Sequence, residues 1–174
     1  MTTEFLYHCI AAHECGHETV CSSLGIQARA FLEVAFDGRV RGGITLAATD
    51  SDRVPLFDRA CVGWAGLLAE YLSGYPLHSE AGLPTLGPRT IAAWAAAAWK
   101  SRFLLLSAED RLLLEREPNR SGAAIRAHKI LTGPIGSSRL YLRRVELVEE
   151  FRRVHFEEGV RLGVVPKSAS FLPT

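Results

Sequence analysis

Hydrophobic and small residues recur at helical spacing near the start of the chain. They follow one another at intervals of three or four positions: Phe5, Cys9, Ala12, Gly16, Val20 and Leu24. This spacing places them on one face of an amphipathic helix. Thr2 or Thr3 can cap the start of that helix, and Gly25 can end it, because glycine readily adopts the left-handed conformation that follows a helix. The pattern predicts a first helix over residues 3–24.

Two apolar runs typical of strands come next, Phe31–Phe36 and Val40–Ala47, separated by the dipeptide Asp37-Gly38. An Asp-Gly pair between apolar runs is a strong short-range signal for a β-hairpin. Gly42 and Gly43 interrupt the second run. They predict either a bulge or the close approach of another group to the strand backbone.

The rest of the chain alternates helical patterns with breaks at glycine and proline. Helices are expected over residues 54–73, 88–106, 107–117, 121–132 and 138–162, with a loop over 75–87. Gly74 can end the first of these helices, and Ser107 with Asp110 forms a capping-box pattern at the start of the third. The prediction is a mainly α fold with one small hairpin, in a single domain over residues 1–174. Residues 115–138 are expected to be loop-rich, and a C-terminal helix is expected within 138–165.

Composition favours a soluble globular protein. Hydrophobic residues make up 48% of the chain and charged residues 22%, and the formal net charge is +1. Neither a nucleic-acid nor a membrane partner is therefore expected. The longest uncharged apolar run, Ala60–Ala69, is far shorter than the roughly 20 residues that span a bilayer. The cysteines lack C-x-x-C pairing and are expected to be buried thiols in the reducing cytoplasm: Cys9, Cys15, Cys21 and Cys61.

The segment His13-Glu14-Cys15-Gly16-His17 matches H-E-x-x-H inside the first predicted helix. Four residues turn a helix by about 400°, so His13 and His17 project from one face and can share one Zn²⁺. Glu14 lies about 100° round the helix, where it can reach a metal-activated water without ligating the metal. Gly16 indicates that another backbone or side chain packs closely. The structural alternative is that His13, Glu14 and His17 form the polar border of the helix face that packs on the core, without binding a metal.

The stretch Ala12–Val20 also resembles the H-E-A-G-H-A-type active-site helix of the FtsH peptidase family. The run Gly43-Ile44-Thr45 is similar to that family's strand ending in a Gly-x-Thr-like run. The segment Ala65–Glu70, followed by Gly74, is similar to its A-G-R-A-A-E segment, with Leu67 in place of the arginine. The resemblance is clearest over residues 10–106.

The resemblance implies a zincin-like helical domain that hydrolyses peptide bonds by metal-activated water. It implies that His13 and His17 ligate Zn²⁺ and that Glu14 is the general base. It also implies a homo-oligomer and a substrate-binding strand edge at Gly43, Ile44 and Thr45, onto which an extended polypeptide adds. FtsH couples its peptidase to an ATPase, but this sequence has no phosphate-binding loop motif. Unfolded substrates or a partner ATPase are therefore expected.

The third zinc ligand of the FtsH family is an aspartate near the start of the helix that follows the A-G-x-x-A-E segment. The corresponding stretch Leu86–Trp94 contains no carboxylate and has Arg89 or Thr90 at the aspartate position.

Three residues could replace the missing aspartate. Glu70 is the leading candidate, although the resemblance also implies a role for it as a hydrogen-bonding partner of a ligating histidine. Glu80 and His78, in the loop before the next helix, are the alternatives. If none of these residues ligates zinc, the chain is expected to be a catalytically degenerate relative that binds polypeptides or serves as a scaffold.

Overall fold

A computed structural model describes residues 3–35, 39–46, 54–75, 88–100 and 106–161 of the chain. These residues form six helices and one pair of strands. In chain order the elements are α1 (Thr3–Ser23), β1 (Ala28–Val34), β2 (Val40–Leu46), α2 (Leu56–Leu72), α3 (Pro88–Lys100), α4 (Ala108–Glu115), α5 (Arg120–Thr132) and α6 (Pro134–Arg161). The prediction of a mainly helical fold with a small hairpin is confirmed.

Helices α1 and α2 end at the glycines that the sequence indicates. Gly25 and Gly74 have φ angles of 76° and 74°. After α1, the amide of Ile26 donates to the carbonyl of Cys21, and the amide of Gly25 donates to the carbonyl of Ser22. The same pair of bonds follows α2, so both helices end in a Schellman motif that satisfies their last carbonyls.

Strands β1 and β2 form a two-stranded antiparallel sheet in which Val34 lies opposite Val40 and Ala28 lies opposite Leu46. Strand β1 begins at Ala28, three residues earlier than Phe31, because its first residues pair with β2 although they are small or charged. Pairing continues one to one across both glycines of β2, so these glycines mark close approaches and not a bulge. The predicted turn at residues 37 and 38 lies outside the described residues.

Helix α2 is the centre of the core, since every residue over Ala60–Glu70 is buried. It packs closely on α1 at Gly16, where an added Cβ would lie 2.5 Å from the carbonyl oxygen of Ala65 and 2.5 Å from Cβ of Ala69. The close packing predicted at Gly16 is therefore confirmed. These small residues bring the histidine-bearing face of α1 against α2.

The C-terminal half is more helical than its sequence suggests. Helix α5 buries an alanine-rich face made of Ala123, Ala124, Ala127 and Leu131. Helix α6 begins at Pro134, four residues before the predicted start. Gly133 is extended and its carbonyl accepts from the amide of Ser137, while proline suits the first helical position because it lacks an amide hydrogen. The predicted loop-rich stretch 115–138 is therefore largely helix.

All the cysteines of the chain are buried free thiols, as the sequence predicts. Trp64 and Trp94 pack against each other in the core with ring centroids 5.8 Å apart. None of the helices in the described ranges combines the length and apolarity needed to cross a membrane.

Candidate metal centre

Helices α1 and α4 bring two imidazoles and one carboxylate together. Nε2 of His13 lies 3.3 Å from Oδ2 of Asp110, and Nε2 of His17 lies 3.2 Å from Oδ1 of the same carboxylate. Each residue offers one ligand atom, and all of these atoms lie within 4.8 Å of one another. His17 and Asp110 are buried and His13 is half-buried. This group of three residues could hold a metal ion.

Helix α2 holds the other ring nitrogen of each histidine. Nδ1 of His17 donates to the backbone carbonyl of Val62 at 2.8 Å, and Nδ1 of His13 contacts Oε1 of Glu70 at 2.6 Å. A carbonyl or a carboxylate can only accept, so both histidines carry their hydrogen on Nδ1. The Nε2 lone pairs therefore face Asp110.

Two Nε2 lone pairs facing a carboxylate form an acceptor–acceptor conflict unless a cation lies between them. Burial opposes charge on His13, but Asp110 and Glu70 outweigh it and hold the pKa of His13 well above its ordinary value. Burial lowers the pKa of His17, against the attraction of Asp110. A proton on Nε2 of His13 would allow that ring to donate to Asp110, but a neutral His17 would still direct a lone pair at the same carboxylate. Oδ2 of Asp110 is buried, and within the described ranges no residue is within hydrogen-bonding geometry of it.

The donor set is one that Zn²⁺ accepts. Two imidazole nitrogens and one carboxylate oxygen are typical of catalytic zinc sites, which keep a fourth position open. With bonds of about 2.0–2.1 Å, two ligand atoms of a tetrahedral site lie roughly 3.3 Å apart. Nε2 of His13 lies at about that distance from Oδ2 of Asp110 and Nε2 of His17 from Oδ1, and one ligand atom of each residue lies within 4.8 Å of the others.

Gly66 of α2 leaves space beside the imidazoles. A Cβ added at Gly66 would lie 2.5 Å from Nε2 of His13 and 2.6 Å from Nε2 of His17. Any larger residue at this position would fill the volume next to both ligand nitrogens. The absence of a side chain at position 66 is therefore a requirement of the centre and not only of helix packing.

Glu14 lies beside the hairpin. A Cβ added at Gly42 would lie 2.6 Å from Cγ and 2.9 Å from Oε1 of Glu14. Burial raises the pKa of Glu14 to about 7, a change that the charge of His13 opposes and that Asp110 and Glu109 reinforce. Glu14 is therefore a half-buried carboxyl group between α1 and β2, one residue from the first histidine.

Glu70 occupies a different place from the one predicted for a third ligand. It contacts Nδ1 of His13, whereas Asp110 faces Nε2 of both histidines. Glu80 and His78 lie outside the described residues. Arg89 and Thr90 are on α3, which packs against α5.

Asp110 was indicated by sequence only as part of a helix cap. Its backbone amide donates to Oγ of Ser107 at 3.0 Å, so the capping prediction is confirmed for the amide. Its carboxylate instead turns toward α1. The FtsH resemblance implies a third ligand that is a carboxylate near the start of a helix. Asp110 is such a carboxylate, but it lies in α4, one helix later than the stretch Leu86–Trp94.

The predicted substrate-binding run Gly43-Ile44-Thr45 lies in β2. Ala30, opposite Ile44, directs its amide to Glu18 and its carbonyl to Arg143, away from β2. Antiparallel pairs alternate between bonded and non-bonded, so Ile44 and Gly42 direct their backbone groups to the outer edge of β2. Gly43 and Thr45 face β1 instead.

Three helices of a mainly helical fold thus build a centre able to hold a metal ion. Neither a scan of protein-family models nor a search of curated proteins finds a match to this chain. The chemistry of the centre is consequently the basis on which its function is inferred.

Proposed function

We propose that this chain is a zinc-dependent metallopeptidase that hydrolyses peptide bonds in extended or unfolded polypeptides. The observation that carries the proposal is the arrangement around Asp110. Nε2 atoms of His13 and His17 lie 3.3 and 3.2 Å from its carboxylate, while both Nδ1 atoms are engaged elsewhere. A divalent cation removes the conflict among these acceptors. The resemblance of residues 12–20 and 65–70 to the FtsH peptidase family supports the same assignment.

In this proposal His13, His17 and Asp110 hold the ion. Glu70 and the carbonyl of Val62 fix the orientation of the imidazoles by accepting from their Nδ1 atoms. A zinc ion bound there supplies Lewis-acid activation of a water molecule and of the peptide carbonyl.

Glu14 acts as the general base. Its carboxylate lies next to the backbone of Gly42, where α1 packs against β2. From this position it takes a proton from the attacking water and delivers it to the departing amine, as acid–base catalysis of amide hydrolysis requires. It takes no part in holding the metal.

The outer edge of β2 is the proposed substrate-binding surface. Gly42 and Ile44 direct their backbone groups to this edge, and Gly42 touches Glu14. An extended polypeptide that adds to β2 through main-chain hydrogen bonds would pass directly by the general base. Main-chain recognition of this kind accepts many sequences but requires an unfolded segment.

The proposal is tested by zinc analysis together with hydrolysis of fluorescent casein. We expect about one zinc per chain, and we expect Glu14→Gln to retain zinc while its hydrolysis falls by about 10²–10⁴-fold. Glu115→Gln is the matched control, because Glu115 is an exposed carboxylate on α4, the helix that carries Asp110. Unchanged hydrolysis in Glu14→Gln would contradict the proposed base. Bound zinc without hydrolysis would instead favour a degenerate polypeptide-binding protein.

A further inference from the structure

Arg144 of α6 is a buried cation. Only 8% of its surface is exposed, and its buried Nε and Nη1 atoms donate to no acceptor in the described part of the chain. Among the residues that the structure describes, Arg144 forms no ion pair. Arginine keeps its charge at any pH that proteins tolerate, so this group cannot become neutral to avoid the cost of burial.

Aromatic rings lie over the guanidinium of Arg144. The ring centroids of Tyr75 and Tyr141 lie 4.7 and 5.7 Å from its central carbon. Such cation–π contacts stabilise the charge through the faces of the guanidinium. The N–H groups point outward in the guanidinium plane, where an aromatic face provides no acceptor for them.

His8 lies near Arg144 but does not neutralise its charge. It stacks on Tyr75 with ring centroids 4.9 Å apart. Burial, followed by the charge of Arg144, lowers the pKa of His8, so its imidazole remains neutral. The aromatic rings of His8, Tyr75 and Tyr141 therefore lie around the guanidinium, and none of them carries a negative charge to balance Arg144.

We propose that Arg144 is the centre of a binding site for a monocarboxylate. The edge of a guanidinium matches the two oxygens of a carboxylate with paired N–H···O bonds. One negative charge neutralises the one unpaired positive charge. A phosphate dianion would leave a net charge between aromatic rings, where desolvation is costly. Tyr141 is 60% exposed, so one wall of the site lies at the protein surface.

The site is separate from the metal centre. His8 precedes His13 on α1, and the interval between them corresponds to about 7–8 Å along the helix axis at ~1.5 Å per residue. The carboxylate bound by Arg144 can belong to a small organic acid or to the C-terminus of a peptide. The proposal stands whether or not the chain is a peptidase.

Calorimetric titration and thermal unfolding with benzoate, acetate and inorganic phosphate, at constant ionic strength, test the proposal. We expect both carboxylates to bind and to raise the melting temperature of the wild type. Arg144→Met, which keeps the length of the side chain but removes its charge, should weaken benzoate binding by about tenfold or more. Arg153→Met is the matched control, because Arg153 is an exposed arginine on the same helix.

Two further probes identify the source of the carboxylate. Acetylated trialanine with a free C-terminus, but not its amide, should compete with benzoate if peptide ends are bound. If it does not compete, the ligand is a small free acid. Arg144→Lys, which keeps the charge without the paired donors, should bind benzoate more weakly than the wild type.

The proposal fails if carboxylates leave the wild-type melting temperature unchanged, or if Arg144→Met binds benzoate as tightly as the wild type. A response to phosphate alone would also overturn the carboxylate assignment. Circular dichroism checks that Arg144→Met is folded. Should it not fold, Arg144→Lys and the wild-type titration still decide the question.

Discussion

Glu70 contacts Nδ1 of His13 at 2.6 Å, on the opposite side of the imidazole from Asp110. The two carboxylates therefore have different roles toward the same ring. Glu70 orients His13 and increases its basicity, whereas Asp110 shares the Nε2 side with both histidines.

Removal of Asp110 should abolish zinc binding, whereas removal of the Glu70 charge should only weaken it. We expect Asp110→Asn to purify without stoichiometric zinc and Glu70→Gln to bind zinc roughly 10–100-fold more weakly than the wild type. The reason is that Asp110→Asn removes a ligand, while Glu70→Gln keeps an acceptor for Nδ1 of His13. Zinc affinity is measured by competition with a chelator of known affinity.

Stability provides an independent readout of the same variants. Zinc that binds only the folded chain should raise the melting temperature of the wild type and of Glu70→Gln, but not that of Asp110→Asn. If Glu70→Gln loses zinc and Asp110→Asn keeps it, Glu70 is the third ligand and the assignment here is reversed.

Gly66→Ala should prevent zinc binding without unfolding the protein. The added methyl group would lie 2.5 Å from Nε2 of His13, in the space beside the ligand nitrogens. Helix propensity favours alanine over glycine by about 1 kcal/mol, so the loss cannot come from a weaker helix. Zinc content and urea unfolding are measured on the same preparation.

Gly25→Ala is the matched control for Gly66→Ala. Gly25 has a φ of 76° and no atom within 4 Å of an added Cβ. This variant should lose about 1 kcal/mol of stability while it retains zinc. Full zinc affinity in Gly66→Ala would show that the cation, if bound, lies elsewhere.

Arg143→Met should destabilise the fold by detaching β1 from α1. Oε2 of Glu18 accepts from the amide of Ala30 at 2.7 Å and from Nε of Arg143 at 3.3 Å, and Nη2 of Arg143 donates to the carbonyl of Ala30 at 3.4 Å. Loss of the guanidinium leaves the mostly buried Glu18 carboxylate without its counter-charge. We expect a decrease of about 2–3 kcal/mol in the free energy of unfolding, measured in urea.

The double variant Glu18→Gln with Arg143→Met separates charge from hydrogen bonding. With both charges removed and an acceptor kept for the amide of Ala30, much of the lost stability should return, because no unpaired charge stays buried at this position. Arg153→Met should change the free energy of unfolding by less than about 0.5 kcal/mol, since this arginine is exposed. Equal losses in the single and double variants would contradict an electrostatic link.

The cysteines should make stability fall as pH rises above about 8.5, the ordinary thiol pKa. Burial raises the pKa of Cys9 and Cys61 to about 11 and that of Cys21 to about 12. The unfolded chain therefore releases its thiol protons at lower pH than the folded chain. Between these pKa values the unfolded state binds fewer protons, so the free energy of unfolding decreases with pH.

Urea unfolding at a series of pH values from 7 to about 10, under reducing conditions, measures this decrease. Each thiol that ionises only in the unfolded chain contributes a slope of up to ~1.4 kcal/mol per pH unit. Cys21→Ala should reduce the slope of the free energy of unfolding against pH by the contribution of the Cys21 thiol. An identical slope in Cys21→Ala and the wild type would exclude a contribution from this thiol.

Several parts of the fold follow from local sequence because their causes are local. The spacing of apolar residues determines α1, and Asp37-Gly38 between apolar runs predicts the hairpin. Gly25 and Gly74 end their helices because glycine adopts positive φ without a steric penalty. The placement of His13 and His17 on one face also follows from helical periodicity alone.

Contacts between residues far apart in the chain depend on tertiary packing and do not follow from local sequence. Asp110 has the sequence environment of a helix cap, and only the packing of α4 near α1 turns its carboxylate to His13 and His17. Likewise, nothing near Arg144 in the sequence distinguishes it from its neighbours on α6. Its burial results from the approach of α6 to Tyr75, and Glu70 meets His13 only because α2 crosses α1. Short-range periodicity specifies the helices, but the partners of a side chain depend on how those helices pack.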